Sequence, residues 1–260
     1  MRSADSGAKL LLKLRLDKLL VERGLAASRE RAQALILAGS VLVDDQKLEK
    51  AGAQVAPDAT IRLLGEDLKY VSRGGLKLER ALEHWQIEVE GTVCLDVGAS
   101  TGGFTDCLLQ HGAARVIAVD TGYGQMDFKI RQDSRVRLLE KSNARYLTRE
   151  AIGEDVGLVV MDVSFISATL VLPAVVHAAF PAPAEKREGR QIVVLVKPQF
   201  EAGREHVGKG GIVRDEAAQL AAVERVKQAL LNLGCLNTAA IESPILGAEG
   251  NREFLLHGVF

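Results

Sequence analysis

Apolar residues along this chain recur in two different rhythms. Between Arg15 and Gly39 they fall at helical spacing: Leu16, Leu19, Leu20 and Val21 make one stripe, and Ala32, Leu35 and Ile36 another. Gly24 and Gly39 stand where a left-handed residue ends a helix, and Ser28 is placed to cap the second one. Short apolar runs follow, Val41–Val43 before the turn pair Asp44-Asp45 and then Ala59–Leu63, which predict strands. From residue 75 the rhythm changes. Val93–Val97, Arg115–Val119, Val136–Leu139, Gly157–Met161 and Ile192–Val196 are nearly continuous apolar runs, with helical stretches around 101–111, 168–179 and 215–233. That alternation predicts a parallel sheet covered on both faces. Thr238–Glu242 and Glu253–Val259 add two more strands, the polar glycine-ended stretch 65–74 reads as a linker, and Pro181–Arg190 reads as a surface loop.

Composition narrows the class. The 260 residues leave room for one large domain or two ordinary ones. Lys+Arg number 33 and Asp+Glu 34, so the whole chain has no basic excess, yet residues 1–64 carry 11 against 8. The longest apolar stretches, such as Leu170–Val176, fall far short of the roughly 20 residues that span a bilayer. No secretion signal is legible, and Cys94, Cys107 and Cys235 show neither zinc spacing nor a disulfide framework. The expectation is a cytoplasmic monomer with no membrane segment and no metal.

The candidate chemistry begins at the end of the first long strand. Cys94-Leu95-Asp96-Val97-Gly98-Ala99-Ser100-Thr101-Gly102-Gly103-Phe104 is a strand followed by small residues that let a ligand lie close to the backbone. Asp120, 24 positions after Asp96 at the next strand end, is placed to accept both hydroxyls of a ribose. No Gly-Lys-Ser/Thr follows, so the turn is not a P-loop, and it departs from the dinucleotide spacing. Asp96 suits a nucleoside that carries an ammonium, with a nicotinamide cofactor as the alternative. Met161-Asp162-Val163-Ser164-Phe165 stands where amine methyltransferases carry Asn/Asp-Pro-Pro-Tyr, and no cysteine lies in a base-methylating motif. Lys197, ending the fifth strand before Pro198, faces the crevice at the strand ends and is a candidate base for a hydroxyl acceptor.

The run D-x-G-x-S-x-G-G-F resembles S-adenosylmethionine-dependent methyltransferases, specifically the ribose 2′-O-methyltransferases of the FtsJ/RrmJ group. The resemblance implies cofactor contacts from Asp96, Gly98, Ala99, Ser100, Gly102, Gly103, Phe104, Asp120, Asn143 and Asp162. At Asn143 this chain departs from the group, which commonly has an acid there. The group's Lys-Asp-Lys-Glu tetrad carries over to Lys77, Asp162, Lys197 and Glu253, although Glu242 and Glu249 lie close to the last of these.

The stretch RLDKLLVERGLAASRERAQALILAGSVLVDDQKL resembles the alpha-L RNA-binding module named after a small-subunit ribosomal protein. It implies that Arg15, Lys18, Arg29, Arg31 and Lys47 face RNA phosphates; as residues alone they also read as ordinary solvated charges. With SRGG, GASTGGFT, TGYGQ, SNAR, SFIS and KPQFE, the chain is similar to the TlyA family, whose members are often labelled hemolysin A. The resemblance implies a ribosomal-RNA cytidine 2′-O-methyltransferase acting on RNA or ribosomal subunits with S-adenosylmethionine. It also implies an α/β, Rossmann-like class I methyltransferase domain with a seven-stranded, mostly parallel sheet, preceded by a small α+β RNA-binding domain. The boundaries expected are a tail at 1–13, the small domain at 14–64, a linker at 65–74 and the large domain at 75–260. Two other readings stay open: a non-catalytic RNA-binding assembly factor, and a membrane-active protein that no segment supports.

Overall fold

The computed structural model describes residues 13–26, 28–44, 46–63, 69–180, 187–247 and 250–260. The tail (but for Lys13), Asp45, linker residues 65–68, Glu249 and the first part of the 181–190 loop lie outside them. Contacts divide the chain into two units, Met1–Leu68 and Lys69–Phe260.

In the smaller unit, α1 (Leu16–Glu22) and α2 (Arg29–Leu37) pack together as their stripes predict, with Leu16, Leu20, Ala32 and Ile36 fully buried. Ser28 Oγ accepts the Arg31 N–H at 3.2 Å, so the cap is as expected. Val21 departs from expectation. It is 36% exposed, because one residue past Leu20 turns about 100° away from the buried stripe. Strands β2 (Val41–Val43), β3 (Gln46–Lys47) and β5 (Ile61–Leu63) form an antiparallel sheet in the order β3-β2-β5. β1 (Leu14–Arg15) pairs with β4 (Gln54–Val55).

The larger unit opens on packed chain. Tyr70, inside the stretch read as linker, is only 2% exposed, and Asp106 Oδ2 accepts the Val71 N–H at 2.8 Å. α3 (Gly74–Trp85) follows, then β6 (Val93–Val97), α4 (Gly103–Gln110), β7 (Arg115–Val119), α5 (Phe128–Gln132) and β8 (Val136–Leu139). Next come α6 (Arg149–Ile152), β9 (Leu158–Met161), α7 (Leu172–Ala179), β10 (Gln191–Val196) and α8 (Pro198–Glu201). α9 (Glu216–Asn232), β11 (Asn237–Glu242) and β12 (Phe254–Val259) complete it.

The sheet runs β11-β12-β10-β9-β6-β7-β8, a Rossmann-like methyltransferase arrangement. β6 to β10 are mutually parallel, and β12 is antiparallel to both of its neighbours. Successive strand residues serve opposite faces: Leu95 and Val97 join the core under α7 and α9, while Cys94 joins the core under α3 and α4. Neighbours of β6 on either side are reached by crossovers in opposite directions, so the crevice of the sheet lies at its carboxyl end. The helix expected over 168–179 begins as a 3-10 turn, Ala168–Leu170, because Pro173 can take only an early position in α7.

Candidate active site

Four strand ends converge on this crevice. β6 is followed by Gly98, whose φ is +87° and whose missing Cβ would lie 2.3 Å from the Asp162 carbonyl oxygen. Only glycine lets the β6 and β9 ends approach so closely. Asp120, after β7, accepts the Ser100 N–H through Oδ2 (2.8 Å) and the Gly122 N–H through Oδ1 (2.6 Å). These bonds fix its carboxylate while leaving further lone pairs for a ligand.

Two lysine–acid pairs stand beside it. Lys197, at the end of β10, donates to Ser164 Oγ at 2.7 Å and lies 2.5 Å from Asp162 Oδ1. Lys77 on α3 meets Glu253 Oε2 at 2.5 Å, and both residues are buried. Gly247 closes over that pair, since a Cβ there would fall 2.0 Å from Glu253 Oε1. The four residues predicted as a tetrad are therefore two ion pairs, and Glu253, not Glu242, is the acid that Lys77 meets. Glu242 is held by Arg252.

Two cavities open here. The larger, about 570 Å³, is lined by Gly98, Ser100, Asp120, Asn143, Asp162 and Phe165 among others. The smaller, about 260 Å³, is lined by Arg73, Lys77, Ala99, Gly103, Phe104 and Leu246 among others. Gly98, Ser100 and Asp162 are walls of both. Asn143 Oδ1 accepts the Arg145 N–H (3.0 Å), which leaves its amide N–H groups for a base edge.

Asp96, expected to touch the cofactor, is fully buried and lines neither cavity. Strand alternation aims it beneath the turn, where Oδ2 accepts Thr105 Oγ at 2.6 Å and Oδ1 has no partner. Burial, reinforced by Asp162 and Asp120 and opposed by Thr105, pushes its carboxyl up to about 7. Gly102 lies off the cavity walls too; with a φ of +92° it caps α4.

Residues 70–260 match the family model described as FtsJ-like methyltransferase, and residues 14–61 match the S4 domain. The 16S/23S rRNA (cytidine-2′-O)-methyltransferase TlyA of Mycobacterium tuberculosis is 46% identical over 243 residues, covering 93% of this chain and 88% of that protein. The chain belongs to the TlyA family of FtsJ-like methyltransferases. Hemolysin A of Brachyspira hyodysenteriae is 40% identical over 245 residues, covering 94% of this chain and 99% of the relative. A solved Streptococcus thermophilus structure that carries the hemolysin name is 42% identical, with a TM-score of 0.72 over 96% of this chain and 89% of that one. Among the described residues no helix is long and apolar enough to cross a membrane.

TlyA-family motifs draw attention to residues that spacing alone did not single out. Phe165, in the SFIS motif, is 92% exposed with a φ of +63°, its ring centroid 5.4 Å from that of Phe200. An apolar run would have buried such a residue; only the flanking Ser164 and Ser167 around the Phe165-Ile166 pair hinted otherwise. In the smaller unit Asp17, also unremarked in the sequence, is fully buried and accepts from Arg15 (2.9 Å), Arg29 (2.9 Å) and Gln33 (3.0 Å). The Arg15 hydrogen bonds above all hold its carboxyl well below the usual range. Lys18 and Lys47 are exposed, Arg31 is half-buried, and Lys47 pairs with Glu49 at 3.2 Å.

Proposed function

We propose that this enzyme transfers a methyl group from S-adenosylmethionine to the ribose 2′-hydroxyl of a cytidine in ribosomal RNA. The observation that carries the proposal is the pair of lysine–acid contacts at the carboxyl edge of the sheet, with Asp162 forming part of both cavities. The larger cavity fits the nucleoside end of the cofactor. Its volume suits a small ligand, Asp120 is fixed to accept ribose hydroxyls, and Asn143 presents amide donors to an adenine edge. Gly98, Ala99 and Ser100 would hold the amino-acid end, and the acceptor ribose would enter from the smaller cavity, beside Lys77.

When bound, S-adenosylmethionine supplies an electrophilic methyl on a sulfonium, whose departure leaves a neutral thioether. The chain's own residues align the attacking oxygen and take its proton. As the acceptor O2′ forms its bond to the methyl carbon, the O2′–H bond breaks and the proton passes to the Lys197–Asp162 pair, whose Nζ and Oδ1 lie 2.5 Å apart. Ser164 fixes Lys197 from the other side. Lys77, held by Glu253, screens the neighbouring phosphate. The exposed Phe165 ring, backed by the half-buried Phe200, offers an aromatic platform for the target base once it leaves its stack.

The smaller unit supplies RNA contacts through Arg15, Lys18, Arg29, Arg31 and Lys47. The support is that Arg15 and Arg29 are held on one buried acid while both side chains keep a solvent face. All four tetrad residues belong to one unit of one chain, so the reading is of a monomer, acting in the cytoplasm where ribosomes are built. The test is methyl transfer from radiolabelled cofactor to purified small and large ribosomal subunits, with Lys197→Ala beside the wild type. Label in alkali-resistant dinucleotides that disappears in the variant is the expected result. Near-wild-type turnover by Lys197→Ala would sink its role, and cofactor binding without label on any RNA would favour a non-catalytic assembly factor.

A further inference from the structure

Three contacts fasten the loop after β9 to the segment after β10. Lys197 meets Asp162 and Ser164, Phe200 lies against Phe165, and Glu201 reaches the far end of the same loop. Glu201, the last residue of α8, is only 3% exposed. Its Oε1 accepts the Ala168 N–H and its Oε2 accepts Ser167 Oγ, both at 2.6 Å. Its backbone carbonyl accepts Arg225 Nη1 from α9, so the acid is anchored on the side away from the loop. Burial pushes its carboxyl up, against the pull of these hydrogen bonds. It lines neither cavity and is spent on no substrate contact.

Such a residue is costly to bury unless its acceptors are used, and here both are used on one loop. Between Asp162 and Ser167 that loop holds Phe165 at a φ of +63°, a conformation an L-residue keeps only when its surroundings over-determine it. Lys197 restrains the loop at one end and Glu201 at the other, with the exposed Phe165 between them.

We propose that Glu201 is a positioning residue for methyl transfer: it sets the loop carrying Asp162 and Phe165 in register with Lys197 and Phe200. The inference rests on the methyl-transfer reading above. Removing the carboxylate frees the loop end, so Asp162 and the aromatic platform drift from the alignment that in-line attack requires. The cofactor-facing Asp120 and Asn143 sit on other strand ends and keep their places.

The test compares Glu201→Ala, Glu201→Gln and wild type on ribosomal subunits, with cofactor affinity measured by titration calorimetry on each. Glu201→Ala is expected to lower kcat by about 10- to 100-fold, the scale of a misplaced reacting group, with cofactor Kd raised by a clearly smaller factor, because the same loop also walls the larger cavity. Glu201→Gln is expected to restore most of the loss. Its amide oxygen can still accept the Ala168 N–H and its N–H can donate to Ser167 Oγ, which then turns its own proton to Thr169 Oγ1, 2.7 Å away. Ser167→Ala, which removes one of the two bonds, gives a smaller fall in kcat and decides the matter if Glu201→Ala fails to fold. Wild-type kcat in Glu201→Ala or Ser167→Ala overturns the inference. So does a parallel loss of cofactor affinity, or a Glu201→Gln variant no better than Glu201→Ala. A wild type that methylates no RNA fails the functional reading itself, before any variant is compared.

Discussion

Cutting the Lys77–Glu253 pair on one side only separates what it does for the fold from what it does for the reaction. Both side chains are nearly sealed, at 11% and 3% exposure, and they meet at 2.5 Å beneath Gly247. Glu253→Ala therefore leaves an ammonium without its partner in a largely buried site that opens to water through the smaller cavity. Breaking a buried pair on one side costs about 3–5 kcal/mol, whereas replacing both partners by apolar residues of similar volume is neutral or stabilising. For a unit of this size each kcal/mol moves Tm by about 2–4 °C, so Glu253→Ala should melt about 6–20 °C below wild type. Lys77→Met/Glu253→Leu should melt close to wild type and transfer no methyl group. Differential scanning calorimetry and the radiolabel assay measure the two effects. A Glu253→Ala protein melting within about 2 °C of wild type would refute the closed pair, because only a solvated lysine loses its partner so cheaply.

Asp120→Ala removes a carboxylate already oriented by two backbone N–H groups, and should weaken cofactor binding by about 1–3 kcal/mol, roughly a 5- to 150-fold rise in Kd, in a titration. Phe165→Ala should lower transfer to ribosomal RNA by about tenfold, the worth of one base stack, and raise cofactor Kd by a smaller factor, because the ring also walls the larger cavity; equal loss of both would argue against a base platform. Asp96 gives a pH dependence. Its folded pKa lies above the unfolded value, so the native state binds the extra proton and stability falls as pH rises from about 4 to about 7, then levels off. Asp96→Asn should flatten that fall and gain most above pH 7; chemical denaturation at pH 5 and pH 8 tests it, and equal slopes in both proteins would refute it.

The large unit was legible because its central strands β6, β7, β9 and β10 are apolar nearly throughout. β6, β7 and β8 begin and end where the runs Val93–Val97, Arg115–Val119 and Val136–Leu139 do. Short elements carried too little periodicity to be seen. α5 and α6 have five and four residues, barely a turn each, and β1 and β4 have two. The tetrad came from family spacing, and the fold explains it: each member sits at a strand end or on the helix packed beside one. The division of the tetrad into two pairs was not visible, since β12 reaches β10 only through antiparallel pairing of distant segments. The direction in which Asp96 points was not legible either. A strand's last polar residue points to the ligand or away from it according to register, and the sequence run Cys94–Gly98 does not say which face is roofed by α4.

Asp17 changes how the smaller unit can meet a polyanion. Two arginines share one buried carboxylate, so the cluster presents a net charge of about one rather than two, with both guanidinium groups already immobilised. If the proposed RNA contacts hold, a phosphate docking there would find donors at a fixed separation and displace few condensed ions. On the proposed RNA-binding reading, association at this cluster would gain in geometric selectivity what it gives up in ionic-strength sensitivity.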